Sequence, residues 1–146
     1  MIYLSLDPGG TTGVCHAVYA HDTLMTQHFE LPLQPHMVPE WLDYYDPDIL
    51  IYESFQYRRV PNADLTAVEL IGVIKYWDSL PGDKLASVIS QPPGSKTLWD
   101  DEKLKRAGFY KPGAPHANDA TRHLLYYISK LPPSSDLYKE VLGRLK

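Results

Sequence analysis

Three short segments, far apart in the chain, carry groups able to do chemistry: Leu4-Ser5-Leu6-Asp7-Pro8-Gly9, Ile49-Leu50-Ile51-Tyr52-Glu53 and His116-Ala117-Asn118-Asp119-Ala120. Each ends an apolar run, or opens a helix, with a group that can hold a metal ion. A carboxylate at the end of a buried strand is costly unless something pairs it. Two such strands, with a His and an Asp three residues apart at a helix start, imply one acidic pocket. The natural occupant of an acidic pocket is a hard divalent cation such as Mg²⁺. That chemistry points to metal-assisted phosphodiester hydrolysis on a nucleic acid.

The elements that must position these groups follow from periodicity. Residues 2–7 read as a strand, Pro8-Gly9-Gly10 as a turn, and Val14 to Tyr19 and Leu24 to Leu31 as strands joined by a hairpin turn at His21-Asp22. Short turns between them imply an antiparallel meander. A short helix over His36 to Tyr45 is stopped by Asp46-Pro47-Asp48, and Ile49 to Tyr52 is a solid apolar run of the kind a buried parallel strand requires. Ala63, Ala67, Leu70, Ile71, Ile74 and Trp77 recur at helical spacing, which predicts a helix over Asn62 to Leu80 with Asn62 as its N-cap. Leu85 to Ser90 reads as a strand, Ser95 to Ala107 as a helix, and Gly108 to Pro115 as a loop. Ala117 to Leu131 forms a second strongly periodic helix. Ser134 to Leu145 predicts a terminal helix capped by Ser134 or Ser135. The order βββαβαβαα describes an α/β fold, a mixed sheet with helices packed on it.

Composition sets the class. The chain has 146 residues, 44% apolar and 22% charged, as expected for one domain with its own core. A lone cysteine, Cys15, excludes an internal disulfide framework and fits a reducing compartment. No apolar run approaches the roughly 20 residues that span a bilayer, and the N-terminus lacks the basic region of a signal peptide. These features predict a cytoplasmic protein without a membrane partner. The net charge of −4 argues mildly against a nucleic-acid partner. Its distribution argues differently. No Lys or Arg precedes Arg58, so residues 1–57 are wholly acidic in their charge and all 14 basic residues follow. Such a split suits acids that hold a cation beside bases that hold phosphates, although segregation along a sequence need not persist in space.

Each candidate has a plainer reading. Asp7 can be a turn former before Pro-Gly or a metal ligand at a strand's end. Glu53 stands where α/β sheets build their sites. His116 and Asp119 share a helix face, yet an Asp in a first turn also serves the helix dipole. His123, four residues beyond Asp119, reads as a surface histidine, the alternative being a partner that orients the Asp119 carboxylate. Lys96 is either a surface lysine or a phosphate contact.

Together, the Asp7-Pro8-Gly9 turn with Thr11-Thr12-Gly13, the strand ending in Glu53, and His116-x-x-Asp119-Ala120 resemble the RuvC family of Holliday-junction resolvases, within the ribonuclease-H-like superfamily. The resemblance runs over roughly residues 2–131 and is strongest to compact bacteriophage members, whose setting would be the host cytoplasm. It implies a single nuclease domain over 1–146 with a helical tail over 134–146. It also implies a ribonuclease-H-like five-stranded mixed sheet, order 3-2-1-4-5, flanked by helices. Carried over, Asp7, Glu53, His116 and Asp119 are catalytic residues and ligands for two Mg²⁺ ions per site, with Mn²⁺ able to substitute. His116 would be a ligand or a guide for the attacking water. The implied activity is structure-selective endonucleolytic cleavage of four-way junctions, forks and flaps. Lys96, Arg58 and Arg59 would meet phosphates, Phe55 and Tyr57 would stack on unpaired bases, and Lys103, Lys105, Arg106 and Lys111 would line the DNA path. The helix after Glu53, with Leu65, Ala67, Val68, Leu70, Ile71 and Ile74, would serve a homodimer.

The family's departures here are a short chain, an acidic balance, and a different spacing from Glu53 to the aromatic residues. Competing readings are a ribonuclease H or exonuclease, a binding module without catalysis, and an ATPase of the sugar-kinase and actin type. The last is prompted by Asp7-Pro8-Gly9-Gly10-Thr11-Thr12, but its nucleotide site needs two such domains and this length supplies one.

Overall fold

The computed structural model describes residues 1–56, 64–81 and 87–146. Strands β1 (Ile2–Asp7), β2 (Thr12–Ala20) and β3 (Thr23–Leu31) form the expected antiparallel meander. His21 and Asp22, the two residues between β2 and β3, both have positive φ, at 50° and 57°. That is the backbone a tight hairpin turn needs to match the twist of its strands. Helix α1 (Val38–Tyr45) leads to β4 (Ile49–Glu53), which pairs in parallel with β1. Helix α2 (Thr66–Ser79) leads to β5 (Ser87–Gln91), parallel to β4. The sheet order is β3-β2-β1-β4-β5, as the resemblance implied.

Strand parity sorts the side chains into two cores. Leu4, Leu6, Leu50 and Tyr52 face α1 and α2, where they meet Leu42, Leu70, Ile74 and Trp77. Tyr3 and Ile51 face the other way, onto helices α3 (Asp101–Arg106), α4 (Pro115–Ser129) and α5 (Asp136–Gly143), with Trp99, Leu104, Leu124, Ile128 and Val141. Because side chains alternate along a strand, Asp7 on β1 and Glu53 on β4 belong to the α4 face. The terminal helix packs into that same core through Leu137 and Val141. No helix among the described residues is long and apolar enough to cross a membrane.

Several expected elements differ in detail. The helix expected over Ser95 to Ala107 is broken in two: a 3₁₀ segment over Pro93–Leu98 and then α3. Pro92-Pro93 fixes the tighter start, buried Trp99 interrupts it, and Asp100 opens α3 by accepting a hydrogen bond from the Lys103 N–H at 2.8 Å. Ser135 is the N-cap residue of α5, as expected, but it serves through its carbonyl, which accepts from the Lys139 N–H at 3.1 Å, and makes no side-chain capping bond. The proposed Asn62 cap and the start of the Leu85 strand lie outside the described residues. Just before α2, Asp64 accepts hydrogen bonds from the backbone N–H and hydroxyl of Thr66 at the helix start, at 2.9 and 2.6 Å.

Candidate active site

The parallel pairing of β1 with β4 aligns Leu6 with Tyr52, so Asp7 and Glu53 end adjacent central strands side by side. Helix α4 brings its first turns over these ends. It can lie that close because residue 13 is glycine: a Cβ there would stand 1.9 Å from the carbonyl oxygen of His116. Glu30, on β3, accepts hydrogen bonds from the N–H groups of His116 at 2.8 Å and Ala117 at 3.2 Å. These donors have no partner within the helix. The helix start is thus capped from the sheet by Glu30, and Asp119 is not its cap.

Five of the sequence candidates converge: Asp7, Glu53, Lys96, His116 and Asp119. The His116 imidazole donates through Nδ1 to Asp7 Oδ2 at 3.0 Å. Lys96 Nζ lies 3.0 Å from Glu53 Oε2 and 2.7 Å from Asp119 Oδ2, joining the ends of β4 and α4. Arg122 reaches the other oxygen of Asp119, and also pairs with Asp101 and donates through Nε to the Trp99 carbonyl at 2.7 Å. A cleft over these groups is lined by Asp7, Gly9, Gly10, Thr11, Asp64, Lys96, His116 and Asp119. A second, of about 820 Å³, runs from Glu53 and Lys96 past Phe55 to Ile71 on α2. Phe55 is therefore at the site's edge. Tyr57, Arg58 and Arg59 lie outside the described residues.

The carboxylates differ in their electrostatics. Burial pushes the Asp7 carboxyl above the usual aspartate range. The His116 hydrogen bond and the Lys96 charge oppose that rise, while the Glu53 and Asp119 charges add to it. Burial also acts to raise Glu53, but hydrogen bonds from His123 and Lys96 and their charges outweigh it and hold Glu53 below the usual glutamate range. Burial likewise disfavours the Lys96 ammonium, and its contacts with Asp119 and Glu53 reverse that. Of the two strand-end carboxyls, Asp7 is the one whose charge its surroundings support less.

His123 corrects the sequence reading. It is not on the surface: it is 0% exposed, and its partner is Glu53 rather than Asp119. Its Nε2 donates to Glu53 Oε2 at 2.8 Å, and its Nδ1 lies 2.8 Å from the side-chain amide of Gln91. Parity gave a signal for Gln91: it is two residues from Ile89, which packs on the α4 face. Helical spacing gave one for His123, three residues beyond Ala120 and beside Leu124, both fully buried. Glu30 had no such signal, since it acts on a helix end distant in sequence. With His123 truncated, Glu53 keeps Lys96 but loses the contact that sets its orientation. His123→Ala is expected to leave Gln91 and Glu53 without a buried partner and to lower stability by about 1–3 kcal/mol. A thermal melt checks this, and an unchanged melting temperature would show that Glu53 needs no such hold.

The donor set of three carboxylates and an imidazole suits a hard divalent cation. Lys96 shows that the place between Glu53 and Asp119 takes positive charge. As the side chains stand, no three acid or imidazole groups among the described residues form a ready ligand set.

No family model matches this sequence, and no curated protein matches it. Solved structures do. The fold is similar to that of RuvC from Thermus thermophilus, with a TM-score of 0.62 and 15% identity over 86% of this chain and 92% of the other. It is similar to the same protein in complex with a Holliday junction substrate, at a TM-score of 0.60 and 15% identity, over the same shares of each chain. It is also similar to the yeast mitochondrial Holliday junction resolvase Ydc2, at 0.55 and 12% identity over 98% of this chain and 79% of the other. The chain therefore has the ribonuclease-H-like fold in the form these proteins share.

Proposed function

We propose that this chain is a divalent-metal-dependent endodeoxyribonuclease selective for branched DNA, cutting Holliday junctions and related forks and flaps. The observation that carries the reading is the grouping of Asp7, Glu53, His116 and Asp119 at neighbouring ends of β1, β4 and α4, joined by the His116–Asp7 contact and by Lys96 between Glu53 and Asp119, on a sheet with this strand order. A fold alone does not give a function; the grouping of these residues on this fold supports the reading. The substrate class rests on the similar fold that holds a Holliday junction.

Asp7, Glu53, His116 and Asp119 would hold Mg²⁺ or Mn²⁺, two ions per site. Bound cations supply a water of lowered pKa as nucleophile and neutralise charge on the phosphate and leaving oxygen. The chain's own groups do the positioning. His123 and Gln91 fix Glu53, and Arg122 fixes Asp119. Lys96 would meet a phosphate oxygen, and Gly9-Gly10 would let a phosphate approach the backbone beside Asp7. Phe55 would stack on an unpaired base at the branch, with Tyr57, Arg58 and Arg59 on the flanking strand. Two nicks on opposed strands need two sites, so the working form would be a homodimer. The exposed Leu65 and Val68 near the start of α2, with exposed Tyr76 further along it, would supply its apolar contact.

The test is incubation of the purified protein with labelled four-way junction, fork, plain duplex and RNA–DNA hybrid, in Mg²⁺ or Mn²⁺. Symmetric cuts on the four-way junction are the expected result. Cutting of the hybrid or of free ends alone would favour a ribonuclease H or exonuclease. ATP hydrolysis without cutting would overturn the nuclease reading.

A further inference from the structure

We propose that Lys96 is a built-in counter-ion of the carboxylate cluster, standing where a divalent cation would bind and competing with it. The site then loads metal tightly only when a phosphate draws the ammonium away. This regulation rests on the nuclease reading above and deepens it.

The geometry points this way. One ammonium spans two carboxylates delivered by different elements, at 3.0 Å to Glu53 on β4 and 2.7 Å to Asp119 on α4. All three side chains are largely withdrawn from water, at 27%, 17% and 23% exposure, so the attraction is stronger than at a free surface. Lys96 is also held by its backbone. It lies in the 3₁₀ segment after Pro92-Pro93, beside buried Ser95, and its carbonyl accepts from the N–H of buried Trp99 at 3.2 Å. The other cations near the cluster stand elsewhere: Arg122 holds the outer oxygen of Asp119 against Asp101 and Trp99. A Mg²⁺ or Mn²⁺ ion shared by Glu53 and Asp119 needs their oxygens within roughly 2.0–2.2 Å of itself. The ammonium and the cation cannot both fill that space.

The consequence is an exchange. Without DNA, Lys96 neutralises the carboxylates and keeps them together, at the expense of metal affinity. A phosphate oxygen is an alternative partner for the ammonium, and its arrival leaves the carboxylates to metal. By linkage, DNA and metal then raise each other's affinity by the same factor.

The test reads Mn²⁺ binding by the free protein, without DNA and without turnover, from loss of the free-Mn²⁺ EPR signal at near-physiological salt. Lys96→Met, which keeps the length and removes the charge, is expected to bind Mn²⁺ about tenfold tighter than wild type or more. Lys139→Met removes an exposed lysine from α5, where salt screens its charge, and is expected to leave the affinity within about twofold. Equal or weaker binding by a folded Lys96→Met overturns the inference and leaves the nuclease reading standing. No saturable binding by either protein overturns both. Should Lys96→Met fail to fold, the wild-type side chain itself reports. Saturating Mg²⁺ is expected to shift the Lys96 side-chain NMR signal, and an unmoved signal at saturation overturns the inference.

Discussion

Asp7→Asn is expected to lower cleavage of a four-way junction roughly 10³-fold or more, while junction binding persists and thermal stability stays level or rises. The two halves of that result have one cause. Asp7 is 8% exposed at the end of β1, and burial with the Glu53 and Asp119 charges disfavours its ionised form. An amide of the same shape removes this burden, so the fold has no reason to weaken. The reaction would lose the negative oxygen bonded to His116, one of the groups that would hold a divalent cation. Protein–DNA affinity rests mainly on basic side chains, which this substitution leaves untouched. Single-turnover cleavage, a gel-shift titration and a thermal melt check the three parts. A wild-type rate would place the chemistry elsewhere.

Gly13→Ala is expected to destabilise the fold by about 3 kcal/mol and to cut activity beyond what that loss explains. Gly13 pairs with Asp7 on one side and with Glu30 on the other. A methyl group there would meet the His116 carbonyl oxygen at 1.9 Å, its carbon at 2.1 Å and the Ala117 nitrogen at 2.8 Å. These are backbone atoms, so no rotamer change relieves the clash, and the start of α4 must lift. Lifting it breaks the Glu30 cap and carries His116 away from Asp7. For a chain of this length the melting temperature should fall by about 10 °C, read by circular dichroism with cleavage measured well below the melt. An unchanged melting temperature would mean that α4 does not pack on β2 as described.

What the sequence made legible was what local patterns control. Periodicity marked β1 to β4 and the main helices, and the apolar runs ending in Asp7 and Glu53 marked two strand ends. Alternation put both on one face once the register of β1 with β4 was known. His123 is ambiguous in sequence: its spacing from Asp119 favours an exposed residue, whereas its place beside Leu124 and three residues beyond Ala120 favours the buried face it occupies. Its burial depends on Glu53 from β4 and Gln91 from β5, distant in sequence. Glu30 and Lys96 escaped in their actual contacts for the same reason: a cap supplied by another strand and an ion pair between β4 and α4 leave no local spacing. The break at Trp99 was hidden by a charged stretch that is helical only after Asp100.

The central claim is that the Asp7, Glu53, His116 and Asp119 cluster hydrolyses phosphodiesters in branched DNA with divalent metal. Its most direct test is single-turnover cleavage of an end-labelled four-way junction by wild type and Asp7→Asn, in Mg²⁺ and in a chelator. Symmetric nicks by wild type in Mg²⁺, abolished by the chelator and by the substitution, are the predicted result. Nicks that survive either change, or no cutting of any branched DNA with Mg²⁺ or Mn²⁺, would contradict it.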